Sequence, residues 1–230
     1  MIKTLTMTFL VLAVIGSGCS RITELANSGT NSPGTNSSNS GTAGTKDAPA
    51  VSVHKPSGEP RKDIEQLADR FLAVPSFRAV MTSEGETPMD ATLEFVSPDR
   101  FRMQNKGGFE IILIGKESYM KIGDRWQKTP MLSDASITGI RAAWDENGRK
   151  WFSDVVYQGE EMVDGRGAHV YTFRNADPET AEGKNDSKIW IAKDDGLPIK
   201  LEAVYLTGSL KKMLIKYDFK TPVTIEAPAQ

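Results

Sequence analysis

The sequence is poor in the residues that build covalent or metal-centred chemistry. Its 230 residues include one cysteine, Cys19, and two histidines, His54 and His169. A lone thiol excludes an internal disulfide, so a folded domain must be held together by its core. One cysteine and two histidines do not make a zinc ligand set. There is no Gly-x-Ser-x-Gly elbow, no phosphate-binding glycine loop and no serine patterned with a histidine. The acidic pairs Glu160-Glu161 and Asp194-Asp195 would point to opposite faces of a strand, and Asp194-Asp195-Gly196 reads as a turn. No catalytic constellation is read, and no cofactor or metal is called for. Charge of one sign is lacking too: 28 Lys and Arg stand against 30 Asp and Glu, a formal net charge of −2. Nucleic-acid binding rests on clustered cations that neutralise phosphates, and Lys211-Lys212 is only a pair, so nucleic acid is excluded as a partner. The apolar run Leu5–Ile15 is about half the ~20 residues that a membrane-spanning helix needs.

What that run does support is export. Met1-Ile2-Lys3 supplies a short positive region, the apolar stretch follows, and Gly16-Ser17-Gly18 leads into Cys19. Charge, short apolar stretch and small residues in that order make an export signal over residues 1–18. The segment resembles bacterial lipoprotein signals, in which a lipobox ends at a cysteine. Ser17, Gly18 and Cys19 match its last three positions, while Gly16 stands where an aliphatic residue is usual. The resemblance implies diacylglyceryl transfer to the Cys19 thiol, cleavage just before it, and attachment to a membrane through that lipid. Gly16-Ser17-Gly18 also fits the small-x-small pattern of the ordinary signal peptidase, which would cut the same bond and leave a free thiol.

From Ser28 to Thr45 nearly every residue is Gly, Ser, Thr or Asn. Such a stretch buries too little surface to offset chain entropy, so residues 19–60 read as a disordered tether. About 40 residues of flexible coil reach roughly 30–40 Å.

Residues 61–230 read as one domain, large enough to bury a core without staples. Ile64, Leu67, Ala68, Phe71 and Leu72 fall at helical spacing, Asp63 lies in the first turn, and Pro75 ends the segment. The period then becomes two: Ala91, Leu93 and Phe95 alternate with polar neighbours, as do Phe101 and Met103, and Met120 and Ile122, while Met213, Ile215, Tyr217 and Phe219 recur at every second position. Phe109–Ile114 is apolar apart from Glu110 and reads as a strand buried on both faces. A second helical region is predicted over Ser136–Trp144 and Arg149–Val155, with Gly148 as a break between the two parts. Short strands at hairpin spacing predict an antiparallel meander of about ten strands, and a sheet of that size curls. The fold class is α+β and mainly antiparallel β, with too few helices to cover both faces.

Four stretches in order, "FVSPDRFRM" from Phe95, "IGKESYMKIGDRWQK" from Ile114, "KIWIAKDDGLPIKLE" from Lys188 and "YDFKTPVTIEAP" from Tyr217, resemble the LolA/LolB superfamily, most nearly its LppX/LprG-type lipoproteins or its uncharacterised LolA-like periplasmic members. The resemblance implies an unclosed half-barrel with helices on its concave face and an apolar cavity that takes acyl chains or other amphiphiles, possession of which would make the protein a carrier in the cell envelope. RseB-like members use the same fold as a sensor, and the alternative function is a non-enzymatic structural or sensing lipoprotein that acts through a protein partner. Strand alternation nominates Leu93, Phe95, Phe101, Met103, Ile112, Ile114, Met120, Ile122, Ile189, Ile191, Met213 and Ile215 as the concave lining, subject to a one-residue register step that would swap faces. For each of them, core packing is the competing role. Trp126, Trp144, Trp151 and Trp190 stand between gating a cavity mouth and joining helices to sheet.

Overall fold

The computed structural model describes residues 54–86, 88, 90–129, 141–176 and 184–229. Cys19, the export segment and most of the tether therefore lie outside the described residues, as do Ser136–Ile140 of the second predicted helical region.

Helix α1 spans Pro60–Ala73. Pro60 occupies the first turn, where its missing N–H costs nothing, and Val74 leaves the helix in extended geometry just before Pro75. Ile64, Leu67, Ala68 and Phe71 form the buried stripe of an i, i+3, i+4, i+7 pattern. Eleven strands follow: β1 (Ser76–Gly85), β2 (Ala91–Val96), β3 (Arg100–Asn105), β4 (Glu110–Ile114), β5 (Glu117–Ile122), β6 (Arg125–Lys128), β7 (Phe152–Val163), β8 (Arg166–Asn175), β9 (Asn185–Ala192), β10 (Pro198–Tyr205) and β11 (Leu210–Asp218). A one-turn helix, α2 (Glu146–Arg149), precedes β7 and is capped by Asp145, whose carboxylate accepts from the N–H groups of Asn147 and Gly148.

All pairings are antiparallel, in the order β6-β5-β4-β3-β2-β1-β11-β10-β9-β8-β7. Two consecutive meanders are thus joined through β1 and β11, and β6 and β7 are, among the described residues, the two edges of a curved half-barrel. Register carries the core across the whole sheet. One row runs Tyr157, Tyr171, Ile189, Leu201, Ile215, Met81, Ala91 from β7 to β2. Another runs Tyr217, Ala79, Leu93, Met103, Ile111, Met120 from β11 to β5, and a third links Phe77, Phe95, Phe101 and Leu113. These rows, the α1 stripe, Trp144, Phe152 and Phe173 make one cluster on the concave face. The convex face carries a row of alternating charge in which Arg78 and Arg102 flank Glu94, and Arg102 and Lys121 flank Glu110.

Four sequence expectations change. Among the described residues there are eleven strands, in keeping with about ten, but Ser76–Gly85 is a strand that the alternation from Ala91 onward did not include. Of the predicted helical stretch Arg149–Val155 only Arg149 is helical, as the last residue of α2: β7 starts at Phe152, where the β-branched pair Val155-Val156 favours extended backbone. Gly148 lies inside α2 instead of breaking a helix, since a Cβ there would stand 2.3 Å from the carbonyl oxygen of Ala142. His54, placed in the tether by composition, is buried against β8.

Candidate functional site

The nominated lining divides by face. Leu93, Phe95, Phe101, Ile189, Ile191 and Ile215 are buried in the concave cluster, and Met103, Met120 and Met213 pack against it. Ile112 and Ile114 belong to the other face. They pack with Tyr119, Trp126, Val223 and Ile225, where the chain after β11 crosses the convex side and Arg100 donates to the carbonyl oxygen of Ile225 at 2.8 Å. The uninterrupted run Ile111–Ile114 offers no alternation to fix its register, so the inner residues of β4 are Ile111 and Leu113 instead. Ile122 shares the parity of Met120 but is 54% exposed at the end of β5. Trp144 joins the segment before α2 to the core, and Trp190 sits in a convex-face cluster with its Nε1 donating to Glu161.

Most of the concave face is filled by α1. An open cavity of about 590 Å³ remains where the helix stops. Its walls are Leu72 at the end of α1, Phe101 on β3, Leu113 on β4 and Ala142. Pro98 and Asp99 of the β2–β3 turn, Gly115 and Lys116 of the β4–β5 turn, and Arg141 and Asp145 complete the border. Of the twelve nominated residues, Phe101 alone lines it. The β4–β5 turn lies close because Gly115 adopts φ +59°, open to glycine at no steric cost, and donates its N–H to the carbonyl oxygen of Asp99.

Arg141 is the chemical centre of this cavity, and sequence reasoning did not nominate it. Its guanidinium donates to the carbonyl oxygens of Phe71 and Leu72, the free end of α1. A cation there complements the helix dipole. It also lies 4.1 Å from the ring centroid of Phe95 and 5.8 Å from that of Phe71. Among the described residues it forms no ion pair, and burial alone lowers its pKa from the usual arginine value. The signal available in the sequence was one arginine set between Ile140 and Trp144.

A second polar cluster lies at the other end of α1. Asp63 is fully buried and accepts from the Tyr171 hydroxyl and the Ser57 N–H, each at 2.8 Å. Arg70 donates to His54 Nδ1 at 2.8 Å, His169 Nε2 donates to the His54 carbonyl oxygen at 3.1 Å, and the Tyr157 hydroxyl donates to His169 Nδ1 at 3.2 Å. The histidine rings meet edge to face at 5.8 Å. Burial first, then Arg70 and His169, lower the pKa of His54, against a weaker opposing pull from Asp63. The arrangement pins the chain before α1 to β8 and the β9–β10 turn, where the His54 N–H also donates to the carbonyl oxygen of Lys193.

Comparison with family models gives no match, and neither does comparison with curated proteins. Solved structures do share the fold. The lipoprotein LppX of Mycobacterium tuberculosis superposes with a TM-score of 0.54 at 16% identity, over 74% of this chain and all of that one. LprF from Mycobacterium bovis gives 0.53 at 15% identity, over 77% of this chain and all of that one. The LppX-type half-barrel implied by the sequence resemblance is therefore the fold of this chain.

Proposed function

We propose that the protein is a lipoprotein of the bacterial cell envelope, tethered to a membrane through a lipid on Cys19, whose half-barrel holds the apolar part of an amphiphile without covalent chemistry. The observation that carries this reading is the cavity beside Arg141. Its volume falls within the roughly 300–1,000 Å³ of small-molecule sites, and it joins apolar walls to a few polar groups at the border. The export segment, the lipobox-like residues and the polar tether support the anchor, and the half-barrel shared with LppX supports the architecture. The ligand would occupy one end of the concave face, because α1 fills the remainder.

Purification of the full chain from envelopes, followed by extraction of non-covalent lipid for mass spectrometry and by titration with a fluorescent fatty acid, tests the reading. An amphiphile should co-purify or the probe should be taken up, and Ala142→Trp, which fills the cavity, should abolish uptake. No co-purifying amphiphile and no uptake would overturn it. The packed concave core favours a second reading, a sensor acting through a protein partner; in that case envelope cross-linking traps a fixed partner and Ala142→Trp leaves function intact.

A further inference from the structure

Resting on the cavity reading above, we propose that the cavity is selective for amphiphiles with an anionic oxygen head, a carboxylate or a phosphate, which Arg141 receives while the chain lies against Leu72, Phe101 and Leu113. A guanidinium has five N–H donors in a fixed fork. Two contacts hold that of Arg141 at the end of α1, and Phe95 supports its face, so its position is set before any ligand arrives. Among the described residues the remaining donors have no partner, and no carboxylate lies within ion-pair distance. A half-buried cation without a counter-ion is a standing cost that a bound anion removes. The acidic residues on the border do not fill that role. Asp145 is committed to capping α2, and Asp99 lies on the exposed turn across the cavity. Lys116 adds a second cation on the border with no ion pair among the described residues, so charge and apolar wall meet as they do in an acyl carboxylate or acyl phosphate. The guanidinium fork matches both anions in geometry, which an ammonium alone does not.

The test uses the full chain and pairs of ligands that differ only in the head. Palmitate is compared with hexadecanol, and lysophosphatidic acid with monoacylglycerol, each displacing a fluorescent fatty acid below its micelle concentration. Acids should bind on the order of tenfold more tightly than their neutral partners, the discrimination of one charge-assisted contact. Arg141→Gln should erase that ratio while leaving hexadecanol binding in place. The exposed Lys116→Glu, which leaves the core untouched, should weaken palmitate two- to threefold and leave hexadecanol unchanged, and it decides the matter if Arg141→Gln does not fold. Acetate and inorganic phosphate at the same concentrations should not displace the probe; equal displacement by either would mean a free-anion site and would overturn the proposal. Equal affinity for acids and neutral analogues would overturn it while leaving the cavity reading intact. Failure to bind any of the four amphiphiles would overturn both.

Discussion

Replacing Tyr217 by Phe should stabilise the domain. Tyr217 lies on β11 under α1, with its ring 5.6 Å from Phe71, 6.2 Å from Phe77 and stacked on Phe219 at 6.0 Å. Its hydroxyl is buried and has no hydrogen-bond partner among the described residues, and burial raises its pKa well above the ordinary phenol value. Tyr→Phe keeps the ring and all three aromatic contacts and removes only the hydroxyl. An unpaired buried hydroxyl costs about 1–3 kcal/mol on the scale of protein substitutions, so the variant should gain about 1 kcal/mol after allowing for local relaxation. For a domain of this size that corresponds to a rise in Tm of roughly 2–4 °C. Denaturant unfolding followed by tryptophan fluorescence measures it directly, with the midpoint moving up at constant slope. A loss of stability would refute the reasoning, because it would mean that the hydroxyl is hydrogen-bonded in solution and that the concave core beneath α1 is less dry than its packing indicates.

Gly148→Ala should destabilise by about 1–3 kcal/mol, since the new Cβ meets backbone atoms of Ala142 and Ala143 at 2.3–2.6 Å that have no free path to retreat; the denaturant midpoint reads it. The lowered pKa of His54 gives a pH dependence of definite sign: the unfolded chain takes up a proton as pH falls through about 6.5, while the folded chain resists, so this contribution is complete above that value and is lost as pH falls below it, until the folded imidazole protonates as well. Midpoints measured from pH 8 to 5 should therefore fall less steeply in His54→Gln, and an unchanged slope would rule the linkage out. Cys19→Ser should move the full-length protein from the membrane fraction to the soluble extract and remove the diacylglyceryl mass from the intact chain; retention in the membrane would reject the anchor.

How far the fold is legible depends on where alternation is strong. The recurring apolar residues from Met213 to Tyr217 and from Ala91 to Phe95 lie in strands with the expected face inward, and Phe219 packs on the same face just past the end of β11. β4 does not alternate. Its four consecutive apolar residues serve two clusters on opposite faces, one under α1 and one under the chain after β11, so periodicity alone leaves its register undetermined. β1 is hidden for a different reason. Its inner residues include Ala79, whose small side chain makes room for the rings around it, while Val80 on the outer side is 46% exposed, which flattens the contrast between faces. The register to β11 and β2, not local pattern, defines that strand.

The candidate site was less legible than the fold, and topology explains why. Because β6 and β7 are the two edges of the sheet, the chain between Lys128 and Phe152 must pass from one edge to the other. The described residues before α2 stand against the helix end, and Arg141 meets the carbonyl groups of Phe71 and Leu72, about 70 positions earlier in the chain. No spacing within a local window encodes such a meeting; it follows from the strand order. The twelve residues chosen by alternation are those that make the concave face, and a face that α1 packs well has little space left for a ligand. Space survives where the helix stops, so the site is defined by the end of α1 and by the crossing chain. The same logic separates the residues: the apolar rows make the packed core beneath α1, and Arg141, outside those rows, is the residue on which the proposed head-group selectivity rests.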